Sequence, residues 1–244
     1  MQATDNGPTT RLRLADHVRV CKVGDQVVLL DLLHGRYIGL DGKQAHALGD
    51  AIDGWPTGEP AFKVAHCGDE VARLIRPLVA RGLLAPHTRE PRPVIGIEEP
   101  ASSLDGHEAM AATPAGLRDV GRFLHAAAAA RLSLRWRSLH SIAKAVADRR
   151  ARMEFNGDGT SAERLRGAIV TFDRLRPWVF TARDQCLFDS LALVNFLAGE
   201  RLFPQWVIGV KTCPFRAHSW VQSGAVVLND QPENVRRFKP IFVV

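Results

Sequence analysis

Residues 181–197 read TARDQCLFDSLALVNFL, and residues 205–230 read QWVIGVKTCPFRAHSWVQSGAVVLND. In the first stretch Leu187, Leu191, Val194 and Leu197 repeat at helical spacing. Most remaining positions are apolar too, so the helix is expected to be largely buried. Cys186 stands near its N-terminal end. That end offers free backbone donors and partial positive charge, which favour a thiolate, the nucleophilic form. The second stretch predicts a strand over 205–210, a break at Pro214 and Phe215, and a strand over 217–222. A turn at Ser223 and Gly224 and a strand over 225–228 follow, with Asp230 just beyond. That turn is expected to set His218 opposite Leu228 or Asn229, within side-chain reach of Asp230. A carboxylate on one imidazole nitrogen fixes the tautomer and leaves the other to accept a thiol proton. Cys186, His218 and Asp230 are therefore the expected catalytic residues. Trp220 shares the strand face of His218.

Working back from this pattern, the preceding chain predicts helices. Leu117, Val120 and Leu124 are helically spaced, as are Leu132, Trp136, Leu139 and Ala143. Leu165, Ile169, Phe172 and Leu175 make a further stripe, with Thr160 or Ser161 as its cap and Pro177 as its stop. Before them, residues 86–114 carry five prolines and no apolar period, which reads as a linker. The expected domains are residues 1–85, a linker over 86–114, and residues 115–244.

The first domain opens with a meander of three short strands, over 17–23, 26–31 and 36–40, with a turn at Gly24 and Asp25. Ala45, Leu48 and Ile52 have helical spacing. So do Val71, Leu74, Ile75, Leu78 and Val79, ahead of a stop at Gly82. Pro77 removes one helix bond, so the helix is expected to kink or to begin near Arg76. Strands then helices in this length make a winged-helix-like α+β domain.

Composition bounds the function. Of 244 residues 46% are hydrophobic and 24% charged, an ordinary globular balance that excludes a disordered chain. Four cysteines cannot make a dense disulfide scaffold, and no secretory or membrane-spanning stretch is legible. A cytoplasmic protein with reduced thiols is expected. The net charge of +6 lies wholly beyond residue 90, and residues 118–176 hold 13 basic against 6 acidic side chains. Residues 1–90 are balanced, which argues against DNA as the first domain's partner. A neutral sheet edge suits an added peptide strand better. Cys213 lacks a helix N-terminus and reads as non-catalytic, while Cys21 and Cys67 read as small hydrophobes. Cys186, Cys213, His218 and Asp230 include zinc-ligand types, but no Cys-x-x-Cys pair supports a site, so no metal is expected.

The order Cys, His, Asp resembles the papain and transglutaminase-like superfamily. It resembles more closely the B proteins of lasso-peptide biosynthesis, which are leader peptidases. The resemblance rests on Cys186, Leu187, Ser190, Leu191, Ala192 and Leu193, then Ile208, Gly209 and Val210. It continues through Pro214, Phe215, Ala217, His218, Trp220 and Val221, and ends on Gly224, Asn229 and Asp230. Ser219 and Gln222 depart from the family's Ala and Glu. The first domain resembles the PqqD-like peptide-recognition domain through Gly35, Arg36, Tyr37, Leu40, Gly82, Leu83 and Leu84. The resemblance implies a leader groove lined by Tyr37, Ile38, Leu40, Leu74 and Leu78, although strand alternation sets Tyr37 opposite Ile38. It also implies cleavage of leader from core in a ribosomally made precursor, without a cofactor in this chain. A partner macrolactam synthetase resembling asparagine synthetase would bring any ATP dependence. Neither nucleic acid nor membrane is an implied partner. Two other readings remain: a thiol acyltransferase with an amine acceptor, and a delivery protein without chemistry.

Overall fold

The computed structural model describes residues 12–49, 51–56, 68–86, 96–104, 116–154, 162–179 and 185–244. The chain is α+β and divides into two compact units, Met1–Val94 and Ile95–Val244.

The first unit begins with β1 (Leu12–Leu14) and continues into the expected meander of β2 (Val18–Val23), β3 (Gln26–Asp31) and β4 (Arg36–Leu40), in that spatial order. Val23 pairs with Gln26 across Gly24 and Asp25. Gly24 has a φ of 58°, which glycine adopts without strain. At the other turn the buried Asp31 carboxylate accepts from the Leu33 N–H at 2.9 Å and meets His34 Nδ1 at 2.6 Å. Helix α1 (Gly42–Leu48) starts on an Asp41 capping box closed by Gln44. Helix α2 (Gly68–Ala80) runs through Pro77, which sits on an exposed position where water can serve the freed carbonyl. Gly82 ends it with a φ of 68°. Its N–H donates to the Val79 carbonyl at 2.8 Å, and the Leu83 N–H to that of Leu78 at 2.9 Å.

A second small sheet departs from the sequence reading. Strand β1 pairs in parallel with β5 (Ile52–Asp53) and antiparallel with β6 (Leu84–Pro86). Ile52 continues the helical spacing of Ala45 and Leu48, yet the helix stops at Leu48 and Ile52 pairs with Leu12. Both sheets and both helices contribute to one core containing Val27, Leu29, Leu48, Trp55, Leu78 and Leu83.

In the second unit β7 (Ser102–Ser103) precedes helices α3 (Leu117–Trp136), α4 (Leu139–Glu154) and α5 (Ala162–Leu175). A 3-10 turn, Arg176–Trp178, contains Pro177. Then come α6 (Cys186–Ala198), β8 (Gln205–Thr212), β9 (Phe215–Ser223), β10 (Val226–Val227), α7 (Pro232–Val235) and β11 (Lys239–Val243). The sheet order is β11-β8-β9-β10-β7. Helix α6 is buried from Asp189 to Val194 and again at Phe196 and Leu197. It packs between the sheet and helices α3 and α5. Phe123, Phe172 and Phe196 join the three helices with ring centroids 5.3–6.4 Å apart.

Three expectations are corrected here. The 86–114 stretch is not linker throughout. Residues 96–104 run along the sheet, where β7 pairs in parallel with β10 and Gln222 Nε2 donates to the Glu98 carbonyl at 2.7 Å. The strands flanking the β9–β10 turn close on Ser223 and Val226, with Gly224 at a φ of 56°, so Val221 rather than His218 lies opposite Leu228. On α3, three leucines and the tryptophan named by spacing face outward: Leu117, Leu124, Leu132 and Trp136 are exposed, whereas Phe123, Ala126, Ala127 and Ala130 are buried. Small side chains let α3 approach α6 closely. Among the described residues no helix is long and apolar enough to cross a membrane.

Candidate active site

Cys186 is the first residue of α6. Its N-cap, Gln185, makes no side-chain capping bond, so the first-turn donors remain available at the thiol. The backbone N–H groups of Ser219 and Leu187 and the His218 imidazole all bond the sulfur. Burial alone pushes the thiol up. The His218 bond, the Ser219 N–H, the His218 charge and the Leu187 N–H together outweigh it and hold Cys186 below the ordinary thiol range.

His218 sits on β9 opposite Gly209 of β8. Its Nε2 meets Asp230 Oδ2 at 2.5 Å, which leaves Nδ1 to exchange a proton with the thiol. Burial pulls His218 down. The bonds to Asp230 and Cys186, with the charges of both, reverse this and push it up to about 9. The two shifts both run in the direction of a thiolate–imidazolium pair. Asp230 is held in turn by Asn234 Nδ2, at 3.1 and 3.0 Å from its two oxygens, and by the Gln231 N–H at 2.7 Å. Burial raises the Asp230 carboxyl, but the His218 bond, the Gln231 N–H, the His218 charge and Asn234 bring it below the usual range.

The imidazole is also gripped from its faces. Trp220 stacks against it at 6.1 Å, and Phe238 tilts over it at 5.2 Å. Trp220 is at once core and wall of the site, being 1% exposed. Gly209 makes this fit, because a Cβ there would stand 2.8 Å from the Trp220 ring and 2.9 Å from Phe238 Cβ. The departure at Ser219 has a structural use. Its hydroxyl bonds Ser190 Oγ at 2.7 Å, and the Trp206 indole N–H donates to both. Gln222, the other departure, donates to two carbonyls and accepts from the Trp220 indole, a combination an ionised glutamate could not make.

The fold thus brings together Cys186, His218 and Asp230, named from sequence, despite the shifted strand register. Cys213 is exposed in the β8–β9 turn, Cys21 is buried, and Cys67 lies outside the described residues. Among the described residues no cluster of three or more His, Cys, Asp or Glu is arranged to hold a metal ion. In the first unit Leu40 and Leu78 are core, Ile38 and Leu74 are half-buried against it, and Tyr37 is half-buried outside that cluster. Sequence reasoning missed Asn234, which carries no periodic or motif signal, and named Asn229 within the motif without giving it a role; the distances to Asp230 and Asp189 reveal both.

A thiol at a helix N-terminus, an imidazole on a central strand and a carboxylate bonded to that imidazole make an arrangement chemically able to transfer an acyl group through the thiol. The family model of the transglutaminase-like superfamily matches residues 108–243, so the chain belongs to that superfamily. The chain is also similar to the microcin J25-processing protein McjB of Escherichia coli. The two are 44% identical over 50 residues, which are 20% of this chain and 24% of that protein. The match therefore spans about a quarter of that relative's length. No solved structure matches the chain.

Proposed function

We propose that this protein is a cysteine peptidase that binds the leader of a ribosomally made lasso-peptide precursor and cuts leader from core. The observation that carries the reading is His218 bonded on one side to Cys186 and on the other to Asp230. The similarity to a microcin-processing protein supports the substrate class. In the proposed reaction the Cys186 thiolate attacks the carbonyl carbon of the last leader residue. The protonated His218 gives its proton to the core's departing amine, leaving a leader thioester. Neutral His218 then takes a proton from water, whose oxygen displaces the thiolate. The Cys186 backbone N–H is the proposed oxyanion donor, with the adjacent Gln185 side chain as a second candidate. No step needs a cofactor held by this chain.

The first domain, residues 1–85, is proposed as a PqqD-like leader receptor. Strand β4 is an edge of its meander, which suits addition of an extended peptide strand. Leu40 and Leu78 serve its core. Ile38 and Leu74 retain partly exposed surface and are the proposed contacts, with Tyr37 on the opposite strand face. The proposed partners are the precursor and an ATP-using macrolactam synthetase that closes the released core. A cytoplasmic setting fits these partners.

The test incubates the full chain with a lasso-peptide precursor, with and without the synthetase and ATP, and weighs the products. Equal amounts of leader and core, with one water gained, support the peptidase. Conversion that requires an added amine makes the enzyme an acyltransferase. Tight binding of a peptide that stays intact under every condition makes it a delivery protein. Ile38→Glu puts a charge on the proposed groove and is expected to weaken leader binding by about tenfold or more. The rate of Cys186 alkylation by a small reagent should be unchanged. Unchanged leader affinity, measured by fluorescence anisotropy, rejects that groove.

A further inference from the structure

Asp189 lies one turn past Cys186 on α6 and is 2% exposed, the one charged side chain of a largely apolar helix. Its Oδ2 accepts from Asn229 Nδ2 at 2.9 Å and lies 3.5 Å from Arg176 Nη1 on the 3-10 turn. Its Oδ1 is buried and has no hydrogen-bond partner among the described residues. Asn229 immediately precedes Asp230, and its own Oδ1 accepts the Val221 N–H of β9 at 2.8 Å. The chain just before Asp230 is therefore tied both to α6 and to the strand that carries His218.

The neighbouring residue makes the matching tie. Ser190 bonds Ser219, the residue after His218, at 2.7 Å. One turn behind the thiol, two adjacent side chains thus reach one neighbour of each other triad member. The serine tie is neutral and fully bonded. The aspartate tie is not, and a buried carboxylate with one unpaired oxygen costs stability that an apolar side chain of similar volume would not. What the carboxylate supplies and an apolar side chain would not is the acceptor for Asn229, the residue next to Asp230.

We propose that Asp189, acting through Asn229, is a positioning residue that sets where Asp230, and hence His218, stands relative to the Cys186 thiol. This rests on the triad reading above. The tie needs only an acceptor oxygen at position 189, which a carboxylic acid, a carboxylate or an amide all provide. Burial raises the Asp189 carboxyl despite Arg176 and Asn229. Asp230 adds to the rise and His218 opposes it, while Asp173 faces Arg176 from α5. The tie thus survives whichever state the group adopts.

The experiment measures alkylation of Cys186 by iodoacetamide, localised by peptide mass, in the full-length protein at about pH 6 and about pH 9.5. Far-ultraviolet circular dichroism verifies folding. Wild type is expected to keep more of its reactivity at the lower pH than an ordinary thiol would, because His218 favours the thiolate. Asp189→Ala should lose about tenfold or more at the lower pH and stay within about threefold at the higher, where no imidazolium is needed. Asp189→Asn, which keeps the acceptor, should retain the wild-type ratio. A general packing defect would instead lower both rates together. The proposal is overturned if Asp189→Ala keeps the wild-type ratio, or if Asp189→Asn loses as much as Asp189→Ala. If Asp189→Ala does not fold, the exchange of Asp189→Asn with Asn229→Asp decides. That pair restores the tie with donor and acceptor swapped and must return the wild-type ratio; a loss there overturns the proposal. Wild type unreactive at the lower pH sinks the triad reading itself, a separate outcome.

Discussion

Cys186→Ala is expected to abolish cleavage of the precursor, by at least about 10⁴-fold, while leader affinity stays unchanged. The change removes one sulfur at the first position of α6, and alanine is a good helix residue there. Helix α6 keeps its buried face from Ser190 to Val194, so the domain should fold. His218 and Asp230 remain paired but have no nucleophile to serve. Groups that act as one unit are not additive. Adding His218→Ala to the first change should therefore cost nothing further. Product masses after a long incubation are the measurement. Residual cleavage in the single variant that disappears in the double would mean that His218 activates something other than Cys186.

The second large effect is expected at Asp230, and it depends on pH. The ordinary histidine value is 6.5, and His218 is pushed up to about 9. A raised histidine keeps its proton below the raised value and loses it as pH climbs through it. Activity that needs the imidazolium should therefore hold to about pH 9 and fall beyond. On the acid side it should persist below the ordinary thiol range, because Cys186 is held down. Asp230→Asn keeps an oxygen for the Nε2 proton but removes the carboxylate charge. The alkaline limb should retreat toward the ordinary histidine range, and the acid limb should rise as the thiolate loses its partner's charge. The active window narrows from both sides, and near pH 8 the variant should lose about tenfold or more in kcat/KM. Asp230→Ala removes the orienting oxygen as well and should cost roughly 10³-fold at every pH. A kcat/KM profile over pH checks both, and an alkaline limb that stays put in Asp230→Asn would remove Asp230 from the role.

The features read best from sequence are those fixed by local chemistry. Strand β2 ends just before Gly24, β3 begins after the same turn, and β4 starts after Gly35. Helix α6 starts at Cys186, where its apolar spacing begins. The misreadings share a different cause, which is that distant partners decided the outcome. Ile52 fits the helical spacing before it, but pairing with Leu12 takes it into a strand. Ser102 and Ser103 look like linker, yet they pair with β10 more than a hundred residues later. On α3 the helically spaced large side chains Leu117, Leu124, Leu132 and Trp136 are exposed, whereas Phe123 and three alanines form the buried face. The spacing from Leu132 to Ala143 also ran through a break at Arg137.

The site shows the same division. A cysteine at a helix start and a histidine twelve residues before an aspartate could be recognised in the chain. The strand register between them could not, because Ser223, Gly224 and Ala225 allow more than one placement of a tight turn. The turn took Gly224 and Ala225, yet Asp230 still reached His218, since Asn229 anchors the returning chain to Val221 and Asp189. That anchor is a side-chain tie between residues far apart in sequence, invisible to periodicity.

A rapid-quench experiment with a stoichiometric lasso-peptide precursor tests the thiol chemistry most directly. The intact mass of the protein is read within the first turnover and the adduct is located by peptide mapping. The expected result is a transient gain equal to the leader acyl group, on Cys186 and sensitive to hydroxylamine, that decays as free leader appears. Cleavage with no adduct at Cys186 at any time, or an adduct on Cys213 instead, would contradict it.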